Sequence, residues 1–133
     1  EKKGLSVPDA LTRLISEGFS LYQVTITSDG NGSTGGDSEK PGIAQVQDLL
    51  KDLRRSALEK QIPLENLLKT VTTNPARILK FPRKGRLAPG CDADILILKP
   101  HDLQVEMLLS QGEILIREEK LVKKGTYETE TNG

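Results

Sequence analysis

Asp29 and Ser33 are the residues of this sequence whose types and spacing bear most directly on chemistry. They lie in the run Ser28-Asp-Gly-Asn-Gly-Ser33, a carboxylate followed four residues on by a hydroxyl. A carboxylate can orient a water, take its proton and return it to a leaving group. A hydroxyl can donate to a substrate oxygen without adding charge. The same letters also spell a turn. Asp-Gly and Asn-Gly favour turns because Asp, Asn and Gly tolerate positive φ at small cost, and on local grounds that reading leads. Against a plain hairpin, no alternating strand follows the run; a loop from Asp29 to Gly42, rich in Gly, Asp and Ser, comes next and then an amphipathic helix. The acid also stands at the carboxyl end of a predicted parallel-type strand, where α/β folds place their chemistry. Finally, Gly30 and Gly32 leave the neighbouring backbone open to a ligand.

The elements that must position this run follow from periodicity. "SVPDALTRLISEGF" predicts a helix, with Pro8 and Asp9 in the first turn, Gly18 as a stop and Ala10, Leu11, Leu14 and Ile15 at helical spacing. "LYQVTITS" predicts a strand with Tyr22, Val24 and Ile26 on one face and Thr25 and Thr27 on the other. A helix then spans Ile43 to Gln61, its apolar stripe formed by Val46, Leu49, Leu50, Leu53 and Ala57, with Asp48, Lys51, Asp52, Arg55 and Glu59 facing water. Pro63 interrupts it and a short helix follows. Asn74 is placed as an N-cap, with Pro75 at the first position of the next helix. Beyond that the texture changes. A Pro89-Gly90 turn of type II leads to a buried strand over Ile95 to Leu98, and further strands break at Gln111-Gly112 and Glu119-Lys120. The boundary falls between Lys80 and Gly85, with an α/β part before it and an all-β part after it.

Other candidate groups read as structural. His101, the single histidine, follows Pro100 in the β part and reads as a surface or packing residue. Asp92 and Asp94 form a pair that suits the entry to a strand better than a divalent metal. Cys91 has no His or basic cluster beside it to activate the thiol. "RKGR" at 83–86 is too short for a nucleic-acid patch and reads as a solvated connector.

Bulk properties narrow the classes further. The 19 basic and 19 acidic side chains cancel, so charge offers no argument for nucleic acid or an anionic membrane as partner. No apolar run approaches the ~20 residues of a membrane span, and nothing at the start reads as a signal peptide. One cysteine forms no internal disulfide, which fits a cytoplasmic setting. The 133 residues suit one modest domain and fall far short of the ~250 of a (β/α)8 barrel. A start at Glu-Lys-Lys and a core with two Phe, two Tyr and no Trp fit either part of a longer chain or a processed small domain.

Four stretches then carry a family resemblance. "VTITSDGNGS", the helix and "TTNPARIL" after it, "KGRLAPGCDADILIL" and "KKGTYET" together resemble the carboxyl-terminal part of the isoaspartyl (β-aspartyl) dipeptidases of the amidohydrolase superfamily. The "GRLAPGCDADILIL" stretch marks the superfamily; the run at 28–33 points to the dipeptidases. The resemblance implies an α/β fold: the last part of a metal-dependent (β/α)8 barrel over residues 1–83, then the C-terminal strands of a small β-domain over 84–133. Tyr22 to Ser28 would be the eighth barrel strand and Ile43 to Gln61 the eighth helix. Asp29 would be the catalytic aspartate that contacts the metal and serves as general base and then general acid, and Ser33 a substrate contact. Two zinc ions are implied, with most ligands outside this chain, since a His-X-His pair, a carboxylated lysine and two further histidines are lacking here. The implied substrates are β-aspartyl dipeptides, and the implied full-length state is a homo-oligomer. The loop from Thr34 to Gly42 is shorter than is usual in the family. The alternatives are another amidohydrolase, of dihydroorotase or N-acyl amino acid deacetylase type, and a non-catalytic barrel remnant serving as an interaction module.

Overall fold

The computed structural model describes residues 4–30, 33–34, 42–43 and 46–123. The chain divides into two compact units, residues 1–86 and 87–133.

In the first unit, helix α1 (Val7–Ser16) starts where local chemistry dictates. The Ser6 hydroxyl accepts the Asp9 N–H at 3.4 Å and donates to Asp9 Oδ2 at 2.6 Å, so an orphan donor of the first turn is satisfied. Lys60 Nζ lies 2.7 Å from Asp9 Oδ1, and that contact, ahead of the Ser6 hydroxyl, holds the Asp9 carboxyl below its ordinary range. The helix ends as expected at Gly18, whose φ of 83° lets the Phe19 N–H turn back to the Leu14 carbonyl at 2.9 Å.

The strand expected from Tyr22 begins later. Leu21–Gln23 form one 3-10 turn, with the Ser20 hydroxyl accepting the Tyr22 N–H at 3.2 Å and Leu21 O accepting the Val24 N–H at 3.1 Å. Ser20 competes locally for the backbone and delays extension. Val24 is extended (φ −94°, ψ 136°). From there Val24, Ile26 and Ser28 are half-buried, while Thr25, Thr27 and Asp29 are exposed. Among the described residues no strand pairs with this segment. The two-residue strands β1 (Ser33–Thr34) and β2 (Gly42–Ile43) pair antiparallel, Ser33 opposite Ile43. Ile43 therefore belongs to a ladder rather than to the following helix.

Helix α2 (Asp48–Leu58) is shorter at both ends than the periodicity predicts. Val46 lies before it, 74% exposed, and is no part of an apolar stripe. Leu53 and Ser56 are its buried residues; the Ser56 hydroxyl donates to the Asp52 carbonyl at 2.7 Å and so needs no partner outside the helix. Asp52 is half-buried rather than in water, and burial raises its carboxyl above the ordinary value against the pull of Arg55. Gln61 at φ 54° and Pro63 stop the helix. Helices α3 (Leu64–Val71) and α4 (Thr73–Ile78) follow, separated by a break at Thr72 (φ −124°, ψ −82°). Leu11, Leu21, Leu53, Ile62 and Leu67 form the core, with Val7, Val24, Ile26, Ala57 and Val71 packed on it. Each buried leucine contributes about 1.5–3 kcal/mol, so the core ties α1, the 3-10 turn, α2 and α3 together.

The second unit is an antiparallel sheet of order β3-β4-β5-β6. It is entered through a turn in which Cys91 N–H donates to Ala88 O at 3.1 Å and Gly90 takes φ 83°, as the Pro89-Gly90 pair predicts. The strands are β3 (Ile95–Leu98), β4 (Val105–Ser110), β5 (Glu113–Arg117) and β6 (Lys120–Leu121). Leu96 faces Leu108, Leu108 faces Ile116 and Ile116 faces Leu121, an apolar row across the sheet. Strand β3 is less buried than its sequence suggests: Leu96 and Ile97 are exposed, beside a register shift at Ile97/Leu98 that breaks the alternation.

Candidate active site

Asp29 ends the extended segment at φ 47°, a left-handed conformation that Asp tolerates better than most side chains. Its N–H donates to Thr27 Oγ1 at 3.0 Å, a local turn that leaves the carboxylate exposed. Gly30 is not open space for a ligand: a Cβ there would stand 3.0 Å from Val46 Cγ2. Its role is to let residues 30 and 46 approach closely. The backbone of Ser33 opens β1. Gly32, also read as open to a ligand, lies outside the described residues, as does Asn31.

What holds the segment before Asp29 is a set of polar groups on α3 and α4, at 70, 74 and 77. Ile26 N–H donates to the Thr70 carbonyl at 3.2 Å. The Asn74 amide nitrogen donates to Leu21 O at 2.8 Å and to Val24 O at 2.7 Å. Arg77 Nη2 donates to Tyr22 O at 2.7 Å, and its guanidinium carbon sits 3.8 Å from the Tyr22 ring centroid. Asn74 and Arg77, three apart in α4, share a helix face, while Thr70 contributes a backbone carbonyl from the end of α3 across the break at Thr72, so the two helices together hold residues 21–26.

Asn74 is where sequence reasoning fails. It does not cap a helix from outside; it lies within α4, fully buried. A cap would accept N–H groups with its Oδ1, whereas here Oδ1 has no hydrogen-bond partner among the described residues. Both amide hydrogens go to carbonyls, which fixes the amide orientation, because a flipped amide would set oxygen against oxygen. No local signal separates this role from a cap, since Asn74-Pro75 fits both.

The remaining candidates are structural. Asp94 Oδ1 accepts the Gln111 N–H at 2.8 Å and the Ser110 hydroxyl at 3.5 Å, which ties the β4–β5 turn to the entry of β3. His101 is exposed, its Nε2 3.5 Å from Asp102 Oδ2. Cys91 is half-buried. In the stretch read as a solvated connector Arg83, Lys84 and Arg86 are exposed, while Gly85 packs closely: it takes φ 77°, a Cβ on it would meet Thr72 O at 2.6 Å, and the Thr73 hydroxyl donates to its carbonyl at 2.9 Å. A cavity of about 430 Å³ is bounded by Thr73, Ala76, Arg77, Phe81 and Gly85 and, among the described residues, by none of 24–30. Among the described residues no three His, Cys, Asp or Glu side chains gather as metal ligands. Asp29 alone does not constitute such a site, since three or four ligands are the rule. Nor is any helix, among the described residues, long and apolar enough to cross a membrane.

Residues 7–125 match the amidohydrolase family. A β-aspartyl dipeptidase from the keratin-degrading thermophile Fervidobacterium islandicum AW-1, solved in complex with a β-Asp-Leu dipeptide, superposes with a TM-score of 0.79 at 32% identity, over 96% of this chain and 34% of its own. A dihydroorotase of Methanosphaera stadtmanae is 40% identical over 57 residues, 43% of this chain and 13% of its own length. A D-hydantoinase of Streptomyces coelicolor is 36% identical over 66 residues, 49% of this chain and 14% of its own. The chain thus spans only a minor part of each of these proteins.

Proposed function

The chain belongs to the amidohydrolase family, and from that premise we propose that it is the carboxyl-terminal part of a (β/α)8 isoaspartyl dipeptidase that hydrolyses β-aspartyl dipeptides. The observation that carries this reading is the likeness to a β-aspartyl dipeptidase along 96% of the chain. The first unit leaves Leu5, Phe19, Ile78, Leu79 and Phe81 exposed, which is compatible with this reading. The rest of the barrel would cover them.

Asp29 does the proton work. A carboxylate oxygen takes a proton as water oxygen attacks the amide carbonyl carbon. The same oxygen gives that proton to the nitrogen as the C–N bond breaks, so that the amine leaves neutral. Ser33 contacts the dipeptide. The family's zinc pair, when bound, supplies acidified water; Asp29 contributes one carboxylate contact to it, and the remaining ligands come from outside this chain.

The test is Asp29→Asn in the full-length enzyme, assayed on β-aspartyl dipeptides beside dihydroorotate and a hydantoin. Turnover of the dipeptide by the parent and a loss of about 10³-fold or more in kcat in the variant, the upper part of the ~10²–10⁴-fold range for general acid–base catalysis because both proton transfers fail, is the expected outcome. Retained activity in the variant sinks the role of Asp29. Preference for a cyclic amide moves the assignment to the dihydroorotase and hydantoinase type, to which local identities of 40% and 36% also point. In the same assay Ser33→Ala should raise KM more than it lowers kcat.

A further inference from the structure

We propose that Asn74 is a positioning residue that fixes the backbone leading into Asp29; this rests on the function assigned to Asp29 above. Little of the Asp29 segment is held by its own neighbours. Among the described residues no strand pairs with 24–28, and the Asp29 N–H bonds only to Thr27 two residues back. Long-range backbone and side-chain bonds hold residues 21–26 instead, and they come from α3 and α4: Thr70 O to Ile26, Asn74 to Leu21 and Val24, Arg77 to Tyr22.

Asn74 is the centre of that set and its most committed member. It is 0% exposed and its two bonds, at 2.7 and 2.8 Å, bridge the carbonyls at either end of the 3-10 turn. The turn sets where extension starts, and from Val24 the alternation runs without a slip to Asp29, since one residue of slippage would send the carboxylate to the opposite face. An alanine at 74 would leave the Val24 carbonyl without its side-chain donor and the Leu21 carbonyl with only the Val24 N–H, and the turn would be free to unwind by a residue. Asn74 spends its donors on these carbonyls while its own acceptor stays unbonded among the described residues. Leaving a buried acceptor unmet costs about 1–3 kcal/mol, a cost that a residue present only to fill space would avoid by being apolar. Arg77, exposed and stacked on Tyr22, closes the same clamp from the outside.

Misplacement of a reacting group by about 1 Å costs on the order of 10²-fold in rate. Asn74→Ala in the full-length enzyme should therefore lower kcat about 10- to 100-fold, with KM within about threefold, because the substrate pocket keeps its residues while the proton carrier moves. Amide hydrogen exchange should quicken at Val24 and Ile26 and not in β4 or β5. In an Asp29→Asn background the Asn74 substitution should cost nothing further, since a group that acts only through Asp29 has nothing left to position. A folded Asn74→Ala enzyme with unchanged kcat, or a loss that adds fully to that of Asp29→Asn, overturns the proposal. If Asn74→Ala does not fold, Arg77→Ala decides: a several-fold fall in kcat, partly restored by Arg77→Lys, supports the clamp, and an unchanged kcat removes it. Failure of the underlying function has a different signature, an active Asp29→Asn enzyme.

Discussion

The two units are held together over very different lengths of chain. In residues 4–86 the bonds that fix the candidate site reach from Asn74 and Arg77 back to Leu21, Tyr22 and Val24, separations of 50 to 55 residues. In residues 87–123 side-chain bonds run over shorter spans, 20 residues from Lys99 to Glu119 and 17 from Asp94 to Gln111, and every strand of the sheet pairs with its sequence neighbour. The sheet is specified by its own turns. The segment carrying Asp29 takes its conformation from helices that follow it much later in the chain. Contacts of high sequence separation must offset more chain entropy before they hold, so the placement of Asp29 is the more fragile of the two arrangements.

The largest effect outside the reacting groups is expected at Gly85. A methyl group there would lie 2.6 Å from Thr72 O and 2.7 Å from Ala76 Cβ, at φ 77°. Left-handed backbone costs an alanine about 1–2 kcal/mol and forced overpacking about 1–3 more. Gly85→Ala should thus destabilise the protein by roughly 2–5 kcal/mol, read from the denaturant midpoint. The loss should be confined to the first unit: exchange should quicken in α4 and at Ile26, whose neighbours share the strained helix, and stay unchanged in β4 and β5. Equal quickening in both units would break the contrast drawn here.

The same contrast explains what could be read in the sequence. The Pro89-Gly90 turn, the bounds of β3 and the Gln111-Gly112 turn were legible because each is written in adjacent residues. So was α1, with its cap and its glycine stop. The start of the Asp29 segment was not, because Ser20 and Asn74 decide it together from 54 positions apart. Asn74-Pro75 reads as a cap by every local rule. Only the tertiary contact turns its amide inward, and local pattern contains no trace of that contact. Val46 was misread for a related reason: its spacing fits the stripe of α2, but the chain first forms a ladder at Ile43 and enters the helix only at Asp48. Asp29 itself was legible as a candidate through its company of glycines and its place after an alternating segment, while the groups that steer it were not.

If the sheet is specified locally, a purely local change should strengthen it. The β4–β5 turn places Gln111 at φ 50° and Gly112 at φ 84°, positive at both central residues as in a type I′ hairpin. Gln is a poor occupant of the first position, since its longer side chain cannot offset the left-handed strain locally, whereas Asn, whose short amide can hydrogen-bond the adjacent backbone, is a preferred one. Gln111→Asn leaves the backbone N–H free to keep its 2.8 Å bond to Asp94, and residue 111 is exposed, so no packing is lost. The expected gain is below about 1 kcal/mol, a part of the ~1–2 kcal/mol that a left-handed residue costs, seen as slower exchange in β4 and β5. The first unit should not respond, because nothing in its clamp depends on turn residues of the sheet. A slower exchange at Ile26 in the same variant would mean that the two units stabilise one another, and the fragility assigned to the Asp29 segment would then belong to the whole chain.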